Sequence, residues 1–146
     1  MSEAQAITPP IVAYLKRDGE RPYLSGSRCE ACGHTFVGER TVCARCSVRD
    51  RMTPVRLAEK GRVYVATIVY RSFPGVDTPF VDVIVDLEDG AHLKGTLVGV
   101  EPDPAKLPVD LPVRIVYREA SPPNRPGEKY LTYVFEPDLH SEGDQR

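Results

Sequence analysis

Long apolar runs are absent from this 146-residue sequence. No hydrophobic segment approaches the ~20 residues that cross a bilayer, and the polar start MSEAQAITPP lacks the apolar core of a signal peptide. These absences argue against a helical membrane protein and predict a cytoplasmic location. Cysteine thiols are kept reduced in that compartment.

Catalytic and nucleotide-binding signatures are also missing. The sequence contains no GxGxxG motif and no P-loop, and its three histidines do not fall into a Ser/His/Asp arrangement. His92 and Lys94 share one face of a predicted strand and would suit a general base, but surface cross-strand residues are the simpler interpretation. We therefore expect no catalytic residue in this chain.

Cysteine occurs in a single stretch, CEACGHTFVGERTVCARC. Its two Cys-x-x-Cys pairs are spaced to direct four thiolates toward one Zn²⁺ ion, and Gly33 follows the first pair where a tight turn needs positive φ. Four thiolates close the coordination shell, which predicts a structural zinc. Iron, disulfides and His34 as a ligand are the alternatives. The predicted ligands are Cys29, Cys32, Cys43 and Cys46.

Charge is distributed unevenly along the chain. From Lys16 to Arg62 there are 11 Lys and Arg against 6 Asp and Glu, whereas the remainder has 8 against 15. Nucleic-acid binding needs a coherent positive surface, and only the cysteine-containing half offers one. A module that binds single-stranded nucleic acid is thus the alternative function, and nucleic acid is not the expected partner.

The residue pattern predicts a mainly β protein in several parts. Thr8 as N-cap and Pro9 at the first helical position predict a short helix from Pro9 to Arg17. The expected parts are a tail with this helix at 1–19, a rubredoxin-like zinc ribbon at 20–58, an OB-fold at 59–138 and a disordered tail at 139–146.

Five segments of alternating, β-branched residues follow the ribbon. Five strands without a long helix predict a five-stranded OB-fold barrel, with an SH3-like barrel as the alternative. The Glu88-Asp89-Gly90 turn joins two of them as a hairpin, and Gly95 and Gly99 are expected to bend the barrel. The predicted strands are 62–71, 79–87, 91–98, 112–118 and 129–135.

The loops after the first and fourth barrel strands, 72–78 and 120–128, converge on one surface in an OB-fold. Both are rich in proline. A stiff loop that presents Phe73 loses little entropy on binding and suits a contact anchor; the alternative is that Phe73 folds back to plug the barrel. The predicted partner contacts are Phe73, Pro74, Val76 and Phe80.

The order of these parts resembles a known family, the zinc-ribbon plus OB-fold proteins catalogued as domain of unknown function 35. The resemblance rests on RCEACGHTFVGERTVCARC, GRVYVATIVYRSFPG and PFVDVIVDLEDGAHLKGTLVGVEP. It implies an accessory subunit that forms a hetero-oligomer with a thiolase-like enzyme, either a thiolase or a retro-aldolase. The partner would carry the catalytic groups.

The resemblance also implies an acyl-CoA ligand, a coenzyme A thioester shared with the partner. Candidate side chains for its phosphates are basic residues of the barrel. They are Arg62, Arg71 and Lys94.

Overall fold

The computed structural model describes residues 8–121, 125 and 127–138. Within these ranges the chain forms nine β-strands and one 3₁₀ helix, Pro104–Lys106, and no α-helix. The tail expected at 139–146, the first seven residues, and residues 122–124 and 126 of the second loop lie outside the described residues. Among the described residues, no helix is long and apolar enough to span a membrane.

A small antiparallel sheet contains the first four strands. β2 is its central strand: β1 pairs with its first half, while β3 and β4 flank its second half on opposite sides. Only glycine fits at Gly26, because a Cβ there would lie 2.4 Å from the Leu57 side chain and 2.5 Å from the Phe36 carbonyl oxygen. The strands are β1 (Leu15–Asp18), β2 (Arg21–Cys29), β3 (Thr35–Val37) and β4 (Met52–Arg56).

The other five strands close into a barrel of the order β5-β6-β7-β9-β8. Neighbouring strands are antiparallel, except that β7 and β9 run parallel where Leu97 faces Phe135. This closed five-stranded barrel is OB-like. The strands are β5 (Lys60–Val69), β6 (Phe80–Leu87), β7 (His92–Leu97), β8 (Pro112–Ala120) and β9 (Tyr130–Pro137).

The period-two pattern of the sequence is confirmed in the barrel interior. Val81, Val83 and Val85 are buried while the intervening residues of β6 are half-buried. The predicted hairpin turn is also present, since Gly90 adopts φ +97° and its N–H donates to the Leu87 carbonyl.

The hydrophobic core is continuous between the sheet and the barrel. Leu15, Leu24 and Leu57 of the sheet region belong to the same buried cluster as the barrel valines and Phe135.

The helix expected from Pro9 to Arg17 is wrong. The Leu131 N–H on β9 donates to the Pro9 carbonyl (2.8 Å), and the Ile11 N–H donates to the Leu131 carbonyl (2.9 Å). Farther along, Leu15–Asp18 forms β1 against β2. A nine-residue helix is marginal on its own, so pairing with two existing strands outweighs the local preference.

Candidate functional site

The four cysteines converge on one point. Cys29 ends β2, Cys32 lies in the turn that follows, and Cys43 and Cys46 lie in the loop between β3 and β4. All four Sγ atoms lie within 4.8 Å of one another, and two of the pairs are 3.6 and 3.7 Å apart. A tetrahedral zinc site with Zn–S bonds of ~2.3 Å has S···S edges of about 3.8 Å. The donor set therefore fits a tetrahedral metal ion.

Each Cys-x-x-Cys pair is held by the same type of turn. The Gly33 N–H donates to the Cys29 carbonyl and the Ser47 N–H donates to the Cys43 carbonyl, both at 2.8 Å. Gly33 has the positive φ predicted from the sequence, +83°, and Ser47 adopts +72° although it is not a glycine. The second turn thus matches the first without a sequence signal for it.

Backbone amides also favour ionisation of two thiols. The Cys32 N–H donates to Cys29 Sγ at 3.4 Å, and this bond lowers the pKa of Cys29. Burial opposes ionisation of Cys43, but N–H donors of Cys46 and Arg45 lower its pKa to about 6. Since a metal ligand must be a thiolate, these bonds favour metal binding by Cys29 and Cys43. The Val48 N–H opposes the effect of burial and of the neighbouring thiols at Cys46, but the pKa of Cys46 still rises to about 11.

His34 lies outside the sulfur cluster. Its Nδ1 is 3.5 Å from an Arg45 guanidinium nitrogen, and its ring packs edge-on against Phe36 at 4.6 Å between centroids. Arg40 contacts the same Phe36 ring, 4.6 Å from its centroid. The histidine therefore belongs to a surface stack beside the cysteines.

The three basic residues predicted to contact CoA phosphates do not form one cluster. Lys94 pairs with Asp82 at 2.7 Å, and Arg62 pairs with Asp110 at 3.6 Å. Arg71 makes no ion pair with a described residue. It lies two residues after β5, whereas Arg62 lies near the start of that strand. The seven-residue step from Arg62 to the end of β5 alone spans roughly 23 Å at ~3.3 Å per residue. Their role in CoA binding stays a prediction.

The residues predicted to contact a partner lie around the loop between β5 and β6. Phe73 is 81% exposed, so it does not plug the barrel. Its carbonyl accepts a hydrogen bond from Val76 (3.1 Å) in a tight turn. Pro74 is exposed, while Val76 and Phe80 are half-buried. Partner contact by these residues also stays a prediction.

His92 forms a cross-strand pair on the barrel surface. Its Nδ1 lies 2.6 Å from the Asp86 carboxylate, and the two residues face each other across β6 and β7. This is the surface arrangement that the sequence favoured over a general base.

One buried polar connection has no sequence signal. The Tyr133 hydroxyl donates to the Lys94 carbonyl (2.6 Å) and lies 2.9 Å from the Tyr14 hydroxyl. Burial, together with the hydrogen bond to Tyr14, raises the pKa of Tyr133. The connection ties the segment before β1 to two barrel strands.

Comparisons with known proteins match both parts of this architecture. Residues 54–118 match the family model for the C-terminal OB-fold domain of ChsH2. A DUF35 domain-containing scaffold protein of Methanocaldococcus jannaschii is 28% identical over 129 residues, which is 87% of this chain and 90% of that protein. Benzoylsuccinyl-CoA thiolase subunit BbsA of Geobacter metallireducens is 32% identical over 91 residues, 62% of this chain and 60% of that subunit.

A solved structure shares the fold. A chain of the Ltp2-ChsH2(DUF35) aldolase superposes with a TM-score of 0.59 and 27% identity, covering 79% of this chain and 84% of that one. The four-cysteine cluster, the OB-like barrel and these matches together support assignment of the chain to the DUF35 family.

Proposed function

We propose that this chain is a non-catalytic accessory subunit that binds a thiolase-like enzyme, a thiolase or a retro-aldolase, and supports its acyl-CoA chemistry. The observation that carries the proposal is the shared fold with a chain of the Ltp2-ChsH2(DUF35) aldolase. The likeness to a benzoylsuccinyl-CoA thiolase subunit agrees with it. In this proposal the partner enzyme carries the reacting groups.

We also propose that the cysteine cluster binds Zn²⁺ and that residues 20–58 form a rubredoxin-like zinc ribbon, followed by an OB-fold unit at 59–138. The support is the donor chemistry: four thiols at tetrahedral spacing leave no coordination position for a substrate. When bound, the metal supplies a cross-link and not a reaction. Cys29, Cys32, Cys43 and Cys46 would hold it and fix the loop before β4 to the end of β2.

The loop between β5 and β6 is the proposed contact surface. The exposed Phe73 ring offers a large, rigid apolar contact area to another molecule. The turn closed by Val76 fixes the loop in the free protein, so that little conformational entropy is lost on binding. Pro74 and Phe80 would extend the same apolar surface.

A CoA thioester shared between the two subunits is the proposed ligand. Of the three candidate basic residues, Arg71 has the strongest support, because its guanidinium group has no carboxylate partner among the described residues. It also lies next to the proposed contact loop, where a ligand could touch both proteins. Arg62 and Lys94 already pair with carboxylates and would have to exchange partners.

The experiment is a reconstitution with a thiolase-like enzyme of the same organism. Turnover of acyl-CoA is measured for this chain alone, the enzyme alone and the mixture. We expect activity or solubility of the enzyme to depend on this chain, and Phe73→Ser to weaken that dependence. Phe73→Tyr, which keeps an aromatic ring at the same position, is the control. Turnover of acyl-CoA by this chain alone would contradict the proposed division of labour.

A further inference from the structure

The outer edge of β5 is open along most of its length. β8 pairs with β5 only at Lys60–Arg62, and the last backbone hydrogen bonds on that side join Val63 to Leu111 and Asp110. β6 covers the opposite edge of β5 as far as Val69. Among residues 8–121 and 127–138, no strand pairs with the outer edge at Tyr64–Val69.

The register shows which backbone groups are open. The Leu87 N–H of β6 donates toward β7, to the Ala91 carbonyl, and alternate residues of a strand point the same way, so Val83 and Val81 also face β7. Their partners on β5 are Ala66 and Ile68. The N–H and C=O groups of Ala66 and Ile68 therefore point outward, away from β6.

This edge is also apolar and uncharged. Residues 63–70 contain no charged side chain, although 27% of the whole chain is charged. Four of the seven large hydrophobic residues exposed in the described ranges lie on or just after β5. They are Tyr64 (70%), Val65 (46%), Tyr70 (60%) and Phe73 (81%). An open, apolar strand edge of this kind is what strand addition uses.

Charge at the end of the edge indicates which occupant it suits. Because Ala66 and Ile68 point outward, a second copy could pair antiparallel only with Ala66 or Ile68 opposite Ala66 or Ile68. In these registers the residue opposite Arg71 is uncharged: Gly61, Val63 or Val65. An acidic residue of another protein at that position would complement Arg71, which has no ion-pair partner within the described residues.

We infer that the outer edge of β5, Tyr64–Val69, accepts an extended strand of the thiolase-like partner, apolar and uncharged at its centre and acidic at the end that faces Arg71. The inference rests on the proposed function, since it identifies where on this chain that enzyme binds. Backbone hydrogen bonds from Ala66 and Ile68 provide affinity. The added strand extends the β5–β6–β7 sheet and lies beside the loop that carries Phe73.

Amide hydrogen exchange on the wild-type protein tests this placement. In the free protein we expect fast exchange at Ala66 and Ile68 and slow exchange at Thr67, whose amide faces β6. Addition of the purified thiolase-like enzyme should slow Ala66 and Ile68 by at least tenfold and leave Thr67 unchanged. Continued fast exchange at Ala66 and Ile68 in a formed complex would overturn the inference.

A pair of variants tests the same edge by affinity. Ile68→Pro removes an outward N–H without removing a bond to β6, which edge strands tolerate, whereas Ile68→Ala keeps the N–H and removes a similar amount of side chain. We expect Ile68→Pro to bind the enzyme roughly tenfold more weakly than Ile68→Ala. Arg71→Glu should also weaken binding, while Arg71→Lys should preserve it.

The outcomes separate this inference from the proposed function. No complex between the wild-type chain and the enzyme would contradict the proposed function itself. A wild-type complex with equal affinity for Ile68→Pro and Ile68→Ala would contradict only the strand addition. A free chain that dimerises, and that Ile68→Pro makes monomeric, would assign the edge to a second copy and overturn the inference. If Ile68→Pro does not fold, the exchange experiment still decides.

Discussion

At the scale of single residues, the cysteine cluster depends on two turns that position sulfur through the backbone. In each turn a residue with positive φ, Gly33 or Ser47, donates to the carbonyl of the first cysteine of its pair. The same turns direct N–H groups at Cys29 and Cys43, the two buried thiols. Ligand geometry and thiolate stability therefore have one local cause.

The Cys43→Ser substitution tests this cluster. Structural zinc contributes roughly 10–16 kcal/mol in small metal-dependent domains, as much as the whole free energy of unfolding of a typical protein. We expect Cys43→Ser to lose zinc and to unfold the sheet of β1–β4. Bound zinc is measured by elemental analysis and folding by circular dichroism.

His34→Ala is the matched control, because His34 lies beside the cluster but outside it. It should keep about one zinc ion per chain, as a single four-thiolate site holds one metal. Full zinc content and unchanged thermal unfolding in Cys43→Ser would exclude Cys43 as a ligand, and a wild-type protein without zinc would contradict the metal site itself.

The two turns with positive φ also show where prediction from single residues works and where it fails. Positive φ at Gly33 was predictable, because glycine after a Cys-x-x-Cys pair carries a conformational signal. The same conformation at Ser47 was not, since serine carries no such signal and the hydrogen bond to the Cys43 carbonyl imposes it.

The Tyr14 hydroxyl is predicted to stabilise the fold through Tyr133. Because Tyr133 donates to the Lys94 carbonyl, Tyr14 is the donor in the bond between the two hydroxyls. Tyr14→Phe leaves the Tyr133 oxygen without that donor and should lower the free energy of unfolding by about 1 kcal/mol. Urea denaturation provides the measurement.

Tyr64→Phe is the control for this prediction, since the Tyr64 ring is exposed on β5. It should leave the free energy of unfolding unchanged to within ~0.5 kcal/mol. Equal effects of the two substitutions would mean that the buried connection adds no stability.

At the scale of secondary structure, the barrel strands were more predictable than the N-terminal segment from Pro9 to Arg17. The alternation of apolar residues in 79–87 follows from one buried face, and β6 begins and ends within a residue of the prediction. The segment from Pro9 to Arg17 carries a helical pattern, but its backbone groups pair with Leu131 and with β2. The partner strands lie outside this segment, so the local residue pattern does not reveal the pairing.

Any side chain at Gly95 on β7 is predicted to destabilise the fold, because the space beside its Cα is already filled. A Cβ at this position would lie 2.8 Å from the Phe135 ring and 3.1 Å from the Tyr133 ring. Gly95→Ala should therefore lower the free energy of unfolding by roughly 1–3 kcal/mol, as overpacked cores do.

Phe135→Leu provides the test of mechanism for Gly95, because it removes the atoms that the new methyl group meets. Gly95→Ala should cost less in the Phe135→Leu background than in the wild type, a coupling that a double-mutant cycle measures. Additive effects would show that the clash with Phe135 is not the cause.

At the scale of the whole molecule, the small sheet and the barrel share one core. Leu24 and Leu57 lie in the same buried cluster as Val85 and Phe135, and Tyr14 adds a polar connection between the two parts. A sequence read in segments predicts two neighbouring units, but not the contacts that join them, because those contacts link residues of different segments, up to 119 positions apart for Tyr14 and Tyr133. The joined body presents β5 and the Phe73 loop on its surface.

Light scattering coupled to size-exclusion chromatography shows whether this chain is a subunit of a larger enzyme. The sample is this chain mixed with a thiolase-like enzyme of the same organism, at concentrations in the micromolar range. We predict a single peak that contains both proteins and whose mass is that of a hetero-oligomer. Two peaks, each with the mass of one protein alone, would contradict the proposed function.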